Sequence, residues 1–441
     1  MLLFQACSNH ESHKSDLPLN YNQHISTIIR TRCAGCHQPG SGAPFNLNNY
    51  KDVINHLKTI QLSINERLMP PWPADTSYSQ FRGQKSMTAE EITLVNNWIR
   101  EGALEGPAIN SLTGNNKRNS LSKNIADFSV TMKTFHISGN NKDNFIMLKI
   151  PIELPADTFL RAVEIIPGNK KLVHHVNAHI VQYNDGSKRT LTSGKDFVNT
   201  ELVDKLQAYK ILDLQNDDGT YPLLTPSVSN YLPGVELTNY PDGIGGYCIK
   251  KKSVILLDNI HYGPSPIDTT DQTTINLYFQ SHPPIRPTTD LILGTSGVSP
   301  VEPVLSIPAN EIKSFRTHFV VHENISLLTL NPHMHLLGSN FKAYAITPER
   351  DTIHLIYIPK WDFRWQYFYT FKKIVKIPAG TTIIVEATFD NTENNPLNPF
   401  HPPRRISERN GSMRTTDEMF QLICTYLPYK MNDEKINLES K

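Results

Sequence analysis

At 441 residues the chain is too long for one ordinary domain, and each of two or three pieces is large enough to bury a core without disulfide staples. A net charge of +1 supplies neither the basic surplus of a nucleic-acid binder nor the acidic surplus of a disordered solvating chain. Proline (31) outnumbers glycine (22), which suits a loop-rich β protein better than a helical bundle.

The chain opens on "MLLFQACSN", an apolar tail ending at Ala6-Cys7 and followed by the polar "SNHESHKSD". It resembles the end of a bacterial lipoprotein signal, so residues 1–19 read as a signal remnant and tether, with a lipid anchor through Cys7. That implies an exported protein, periplasmic or anchored at the outer membrane. No apolar run approaches the roughly 18–20 residues of a membrane-spanning helix.

Residues 20–105 read as helical. "NYNQHISTIIRTR" has apolar residues at helix spacing, and "MTAEEITLVNNWIREGA" opens on Thr88, with Glu91 as its capping-box partner and Gly102 as a stop. Between them lies "CAGCH" at 33–37. Two thiols three residues apart can add to the haem vinyl groups while the adjacent histidine ligates iron. A redox dithiol does not need His37, and a zinc site would need a second ligand pair, which does not follow at suitable spacing. Cys33, Cys36 and His37 are therefore predicted to hold one covalently attached haem c in a small all-α c-type cytochrome. Met69 and Met87 compete as sixth ligand. Met69, in "RLMPPWPAD", is favoured because the prolines after it rigidify an extended loop, whereas Met87 sits where a methionine staples a helix entry.

Residues 106–124 are polar and aperiodic and read as a linker. Short β runs follow, and the proline-rich "QSHPPIRPTTD" divides them into 125–284 and 285–430, with a polar tail at 431–441. Pieces of this size suggest two antiparallel sandwiches, or jelly rolls. Of the five cysteines, Cys248 and Cys424 lie in strand-like segments and read as buried free thiols.

The histidines of the β region are the remaining chemistry. In "NPHMHLLG" (331–338) His333 and His335 share one strand face about 7 Å apart, within reach of one metal ion, though such a pair also occurs on ordinary strands. Met334 faces the core. In "LVHHVNAHI" the consecutive His174 and His175 can share a metal only at a bulge or strand end. His179, ~13 Å from His175 along an ideal strand, is a bystander. "DNIHYGP" places His261 at the end of an apolar strand, and "TTDEMFQLICTYLP" places Met419 at the start of another, with Met413 as a local rival.

The His-His pair, the "HYG" histidine, the His-x-His pair and the Asp-Glu-Met run, in this order, resemble the copper type II, ascorbate-dependent monooxygenases, the group containing peptidylglycine α-hydroxylating and dopamine β-monooxygenases. The resemblance covers about residues 125–430, and "CAGCH…MPPW" resembles the cytochrome module fused ahead of such domains in bacterial proteins. It implies two copper ions. His174, His175 and His261 would hold an electron-transfer copper in the first of two jelly-roll domains. His333, His335 and Met419 would hold the copper at which O2 reacts and a C–H bond is hydroxylated. The expected function is a copper-dependent monooxygenase acting on a small organic substrate, with O2 and electrons from a donor such as ascorbate or the fused haem. The rival reading is a non-catalytic electron-transfer or copper-binding protein with partner-binding sandwiches. The amidating enzymes carry a carboxylate-gripping arginine where this chain has Asn331, and tyrosine and asparagine where it has Ile423 and Gln421. These departures argue against a glycine-extended peptide. The aromatic-rich "KWDFRWQYFY" reads as packing through Trp361, Trp365 and Phe368.

Overall fold

Antiparallel sheet supplies about 36% of the described residues and helix about 12%. The structure, a computed structural model, describes residues 18–108, 125–235, 240–408, 412 and 414–439. Cys7, Met413 and most of the predicted linker lie outside the described residues. The chain divides into two compact units. One comprises residues 1–39, 44–70 and 86–115; the other comprises 40–43, 71–85 and 116–441.

The first unit is built from short helical pieces. A continuous helical run begins with a wide π-type turn at Tyr21–Ile25, tightens over Ser26–Ile28 and widens again over Ile29–Cys33. Helices Tyr50–Ile54, Leu57–Asn65 and Ala89–Arg100 follow. The last begins as its sequence predicts. The Thr88 hydroxyl accepts the Glu91 N–H at 3.1 Å and the Glu91 carboxylate accepts the Thr88 N–H at 2.9 Å. Ile25, Ile28, Val53, Ile64, Val95 and Trp98 form the core.

The expectation of a small all-α c-type cytochrome ahead of two jelly rolls is corrected. The protein is predominantly β, and its α-helices among the described residues are five short segments, the longest of 12 residues. Pro39, Pro44, Pro70, Pro71 and Pro73, with Gly35, Gly40, Gly42 and Gly83, interrupt the helical periodicity, because proline removes a donor and glycine favours turns. Residues 20–105 are also not one piece. Segment 71–85 belongs to the β unit, where Trp72 packs on Tyr367 and Tyr369 at 5.3 and 5.4 Å and Phe81 bridges to Phe371.

The β unit contains two pairs of sheets. In the first pair, a four-stranded sheet (Phe128–Thr131, Thr274–Gln280, Thr158–Ile166, Tyr247–Ile249) faces a larger one. That sheet runs Phe197–Asn199, Asn144–Glu153, Lys252–Tyr262, Val173–Gln182 and Leu223–Leu224. Leu148, Ile150, Val163, Ile180, Leu257 and Ile275 fill the space between. Behind the larger sheet a second cluster joins Met147, Val181 and Leu256 to Ala208 of the helix Lys205–Ile211. Burial on both faces explains why "NFIMLKIPIE" reads as a continuous apolar run rather than an alternation. In the second pair, Thr289–Gly294, Phe420–Pro428, Ile325–Met334 and Tyr369–Ile377 form one sheet. Ile312–Val320, Thr382–Asp390, Gly338–Ile346 and Thr352–Ile358 form the other. Leu327, Met334, Phe341, Val385 and Leu422 lie between them.

Residues 431–439, read from sequence as a polar tail, are mostly exposed but anchored at two buried positions, Asp433 and Leu438. Leu438 is fully buried, and the Asp433 carboxylate receives both Arg286 guanidinium nitrogens at 2.8 and 2.7 Å. Cys424 is a buried thiol, but Cys248 is exposed.

Candidate metal centre

The strands Val173–Gln182 and Lys252–Tyr262 pair with His175 opposite His261, and the next pair is Val173 with Tyr262. His174 is therefore the extra residue of a bulge, the device that lets consecutive histidines serve one site. Its ring centroid lies 4.7 Å from that of His261, and the His175 ring lies 5.1 Å from it. The glycine of "HYG" has a steric reason. A Cβ at Gly263 would stand 2.5 Å from His174 Nε2, so any side chain there would push the ring away.

The Nδ1 atoms of His174, His175 and His261 are all buried and have no hydrogen-bond partner among the described residues. Three buried imidazole nitrogens without partners on neighbouring rings are a departure that a bound electrophile would explain. The Nε2 sides explain which nitrogen is left. His261 Nε2–H donates to Asp143 Oδ1 at 2.6 Å. The Asn259 amide nitrogen lies 3.2 Å from His175 Nε2; with the amide turned over, its oxygen would take that place and accept the Nε2 proton. Asn259 and Asp258 leave the ladder at a second irregularity between Leu257 and Ile260. Among the described residues, the ligand atoms that lie within 4.8 Å of one another are those of Asp143, His174 and His261, a group that does not include His175. The short bond to His261 makes Asp143 foremost the orienting carboxylate behind a ligand.

Burial, reinforced by the neighbouring His261, pushes His174 down to about 4, and burial holds His175 well below the usual imidazole range. Both rings are then neutral near pH 7, with lone pairs available to a metal. The donor set fits copper. All-imidazole coordination serves both oxidation states.

His179 stands apart. Its Nδ1 lies 3.1 Å from the Thr225 carbonyl and its Nε2 lies 3.2 Å from Asp258 Oδ2. With both nitrogens engaged, it has none left for a metal.

His333 and His335 end the strand Ile325–Met334 or follow it, with ring centroids 5.1 Å apart. Here the opposite nitrogens are engaged. His333 Nδ1 lies 2.6 Å from Gln366 Oε1, and His335 Nδ1 donates to the Asp417 carbonyl at 3.0 Å. For a metal held here, Nε2 would be the nitrogen His333 offers, while His335 also interacts with the Arg414 backbone. Burial lowers both, His335 to about 3. Met419 immediately precedes the strand Phe420–Pro428. The register His333–Gln421, Met334–Phe420 brings it beside His335 when extended by one residue. Glu418 pins this junction, its carboxylate accepting the N–H of His335 at 3.0 Å, of Leu337 at 2.7 Å and of Met419 at 3.2 Å. Trp361 Nε1 donates to the His335 carbonyl at 3.2 Å. Two imidazoles with a thioether are a soft set suited to Cu(I).

Asn331 donates to the Tyr367 carbonyl at 3.1 Å, opposite Ile423 in register. On the same strand face, Thr329 lines a cavity of about 500 Å3 with Thr425, Tyr240, Tyr247, Phe368 and Arg161.

In the helical unit, Cys33, Cys36 and His37 occupy one turn at the end of the first helical run, with the His37 N–H donating to the Cys33 carbonyl at 3.0 Å. Burial pushes the Cys33 thiol up to about 12. His37 Nδ1 donates to the Phe45 carbonyl at 2.9 Å, leaving Nε2 as the ligand nitrogen. This donor set fits a covalently attached haem. Met87 is packed in the core, while Met69 is 41% exposed.

Asp143, Asn259, Gln366 and Gly263 were not identified from sequence, and Glu418 only as a letter of "DEM". Asp143 had no local signal, since it lies 118 residues from its partner.

No family model matches the chain, and no curated protein matches it. Among solved structures it is similar to the infectious bursal disease virus VP2 subviral particle, at 8% identity over 69% of this chain and 77% of that one, with a TM-score of 0.15. It is also similar to the Sulfolobus turreted icosahedral virus structure, at 11% identity over 69% and 91%, with a TM-score of 0.17. Likeness at these TM-scores carries no argument about fold or function.

Proposed function

We propose that the protein is a copper-dependent monooxygenase that hydroxylates a C–H bond of a small organic molecule. The observation that carries this reading is the set of three buried Nδ1 atoms without partners on His174, His175 and His261. The pair His333 and His335 supports it, with Nδ1 engaged on each and Met419 alongside. Copper at the two sites would supply one-electron redox chemistry and O2 activation, for a net reaction R–H + O2 + 2 electrons + 2 H+ → R–OH + H2O.

The chain's own residues bind, orient and exclude water. Asp143 and Asn259 hold the rings of the first site, while Gln366, the Asp417 carbonyl and Glu418 hold the second. The cavity beside Thr329 has room for a small molecule. Asn331 replaces the arginine that would grip a carboxylate, so a glycine-extended peptide is not the expected substrate. Cys33, Cys36 and His37 would hold a haem c able to act as electron donor.

The test is metal analysis of copper-replete protein, followed by a product screen under isotopic O2 with ascorbate as reductant. Two coppers per chain, with one labelled oxygen atom in an organic product, are expected. Absence of copper would end the reading. Two coppers without oxygen uptake under any reductant would leave an electron-transfer or copper-binding protein instead.

A further inference from the structure

The loop between the strands Thr352–Ile358 and Tyr369–Ile377 carries the aromatic run read from sequence as packing. One of its rings does more. Phe363, 5% exposed, belongs to the second pair of sheets, yet its centroid lies 6.3 Å from the His175 ring, 6.2 Å from His261 and 6.2 Å from Phe145, all in the first. The same ring lies 5.9 Å from His335. A single side chain thus touches residues of both candidate metal sites. The His175 and His335 rings can be no farther apart than contacts of 6.3 and 5.9 Å laid end to end.

The flanking residues keep this ring in place. Trp361 is tied to the His335 carbonyl and Gln366 to His333, so the backbone on both sides of Phe363 is anchored to the second site. Its apolar ring fills space between the two sets of histidines that water would otherwise occupy. A ring clamped between imidazoles in near-perpendicular contact is a fixed spacer, because edge-to-face packing loses energy if either partner moves away.

We propose that Phe363 is the positioning residue that sets the separation of the two metal sites and keeps water out of the gap between them. This rests on the copper reading above. His174, His175 and His261 would hold a copper able to give up one electron, and His333, His335 and Met419 a copper able to take it up, with an external one-electron donor of the ascorbate or haem class restoring the first. The spacer fixes the path length for that transfer.

Electron paramagnetic resonance of the oxidised full chain, loaded with two Cu(II), reads the dipolar coupling between the ions directly. Phe363→Ala is expected to keep both coppers while broadening and weakening the coupling. It should also slow turnover, since a misplacement of about 1 Å costs on the order of 100-fold. Phe363→Leu, a milder truncation, should broaden the coupling less, and Phe363→Tyr, which keeps the ring, should restore it. Coupling in Phe363→Ala and Phe363→Leu identical to that of the parent, with both sites filled, would overturn the inference while leaving the copper reading intact. A parent protein that takes up no copper overturns both.

Discussion

Asp143 Oδ1 and His261 Nε2 lie 2.6 Å apart, a carboxylate joined to an imidazole across 118 residues of sequence. The bond from His261 holds the Asp143 carboxyl below its usual range, so it is a charged acceptor at neutral pH. Asp143 is 47% exposed, and its value to the fold is correspondingly small. Its effect falls on His261, the proposed ligand it orients. Asp143→Ala is expected to weaken metal binding at the first site by about 10–100-fold, with little change in melting temperature. Competition titration against a chelator, alongside thermal unfolding, checks both halves. Equal affinity in the variant would show that His261 orients itself.

Glu418 offers a sharper test of the second site. Burial pushes its carboxyl up to about 8 against the opposing N–H donors of Leu337, His335 and Met419. The folded value lies above the ordinary 4.5, so its contribution to stability is complete below that value and declines as pH rises toward about 8. Glu418→Gln should flatten this part of the stability–pH curve while keeping one acceptor oxygen. Glu418→Ala leaves three backbone N–H groups without an acceptor and should cost roughly 2–4 kcal/mol. Denaturant unfolding of the apo forms between pH 4.5 and 8 measures both.

The ligand candidates were legible in the sequence because each carries its chemistry in its residue type and sits at a strand end with a short local signature. The architecture of the helical unit was less legible. Apolar spacing at 20–33 and 88–102 does mark helices, but local periodicity cannot show that Pro71–Lys85 leaves them to lie on the β unit, with Tyr78 stacked on His354 at 4.3 Å. Orienting residues were illegible for the same reason. Gln366 reaches His333 across 33 residues and Asp143 reaches His261 across 118, and nothing in a linear pattern encodes such pairings. The "KWDFRWQYFY" loop was read correctly for Trp361, which is buried in the second core. Its central Phe363 looked no different in sequence, although its ring reaches across to the other pair of sheets.

Acid should weaken the apo protein through its ligand histidines. Burial depresses His174 to about 4 and His335 to about 3, both below the ordinary 6.5. For groups lowered in the folded state, the stability they contribute is present above the unfolded value and is lost as pH falls through the folded one. Apo protein is therefore expected to lose stability steadily from pH 6.5 toward 4, and bound metal should delay the loss, since protons and metal compete for the same nitrogens. Thermal unfolding of apo and copper-loaded protein across that range is the measurement. Parallel curves would mean that the histidines do not bind the ion.

His179 separates a structural histidine from the proposed ligands. Its Nε2 lies 3.2 Å from Asp258 Oδ2, with the two side chains 20% and 15% exposed. Burial opposes charge on the ring, but the Asp258 carboxylate outweighs it and raises His179 above the ordinary range, while the same partner lowers Asp258 against the effect of burial. His179→Ala strands a largely buried carboxylate and should cost roughly 3 kcal/mol. The sign of its pH dependence is opposite to that of the ligand histidines. A raised group stabilises fully below pH 6.5 and loses that contribution as pH rises through its folded value. The gap between variant and parent should therefore narrow in alkaline solution. Copper stoichiometry should not change, because both His179 nitrogens are already engaged. A variant that loses one copper, with its fold intact by circular dichroism, would move His179 from the scaffold into the site.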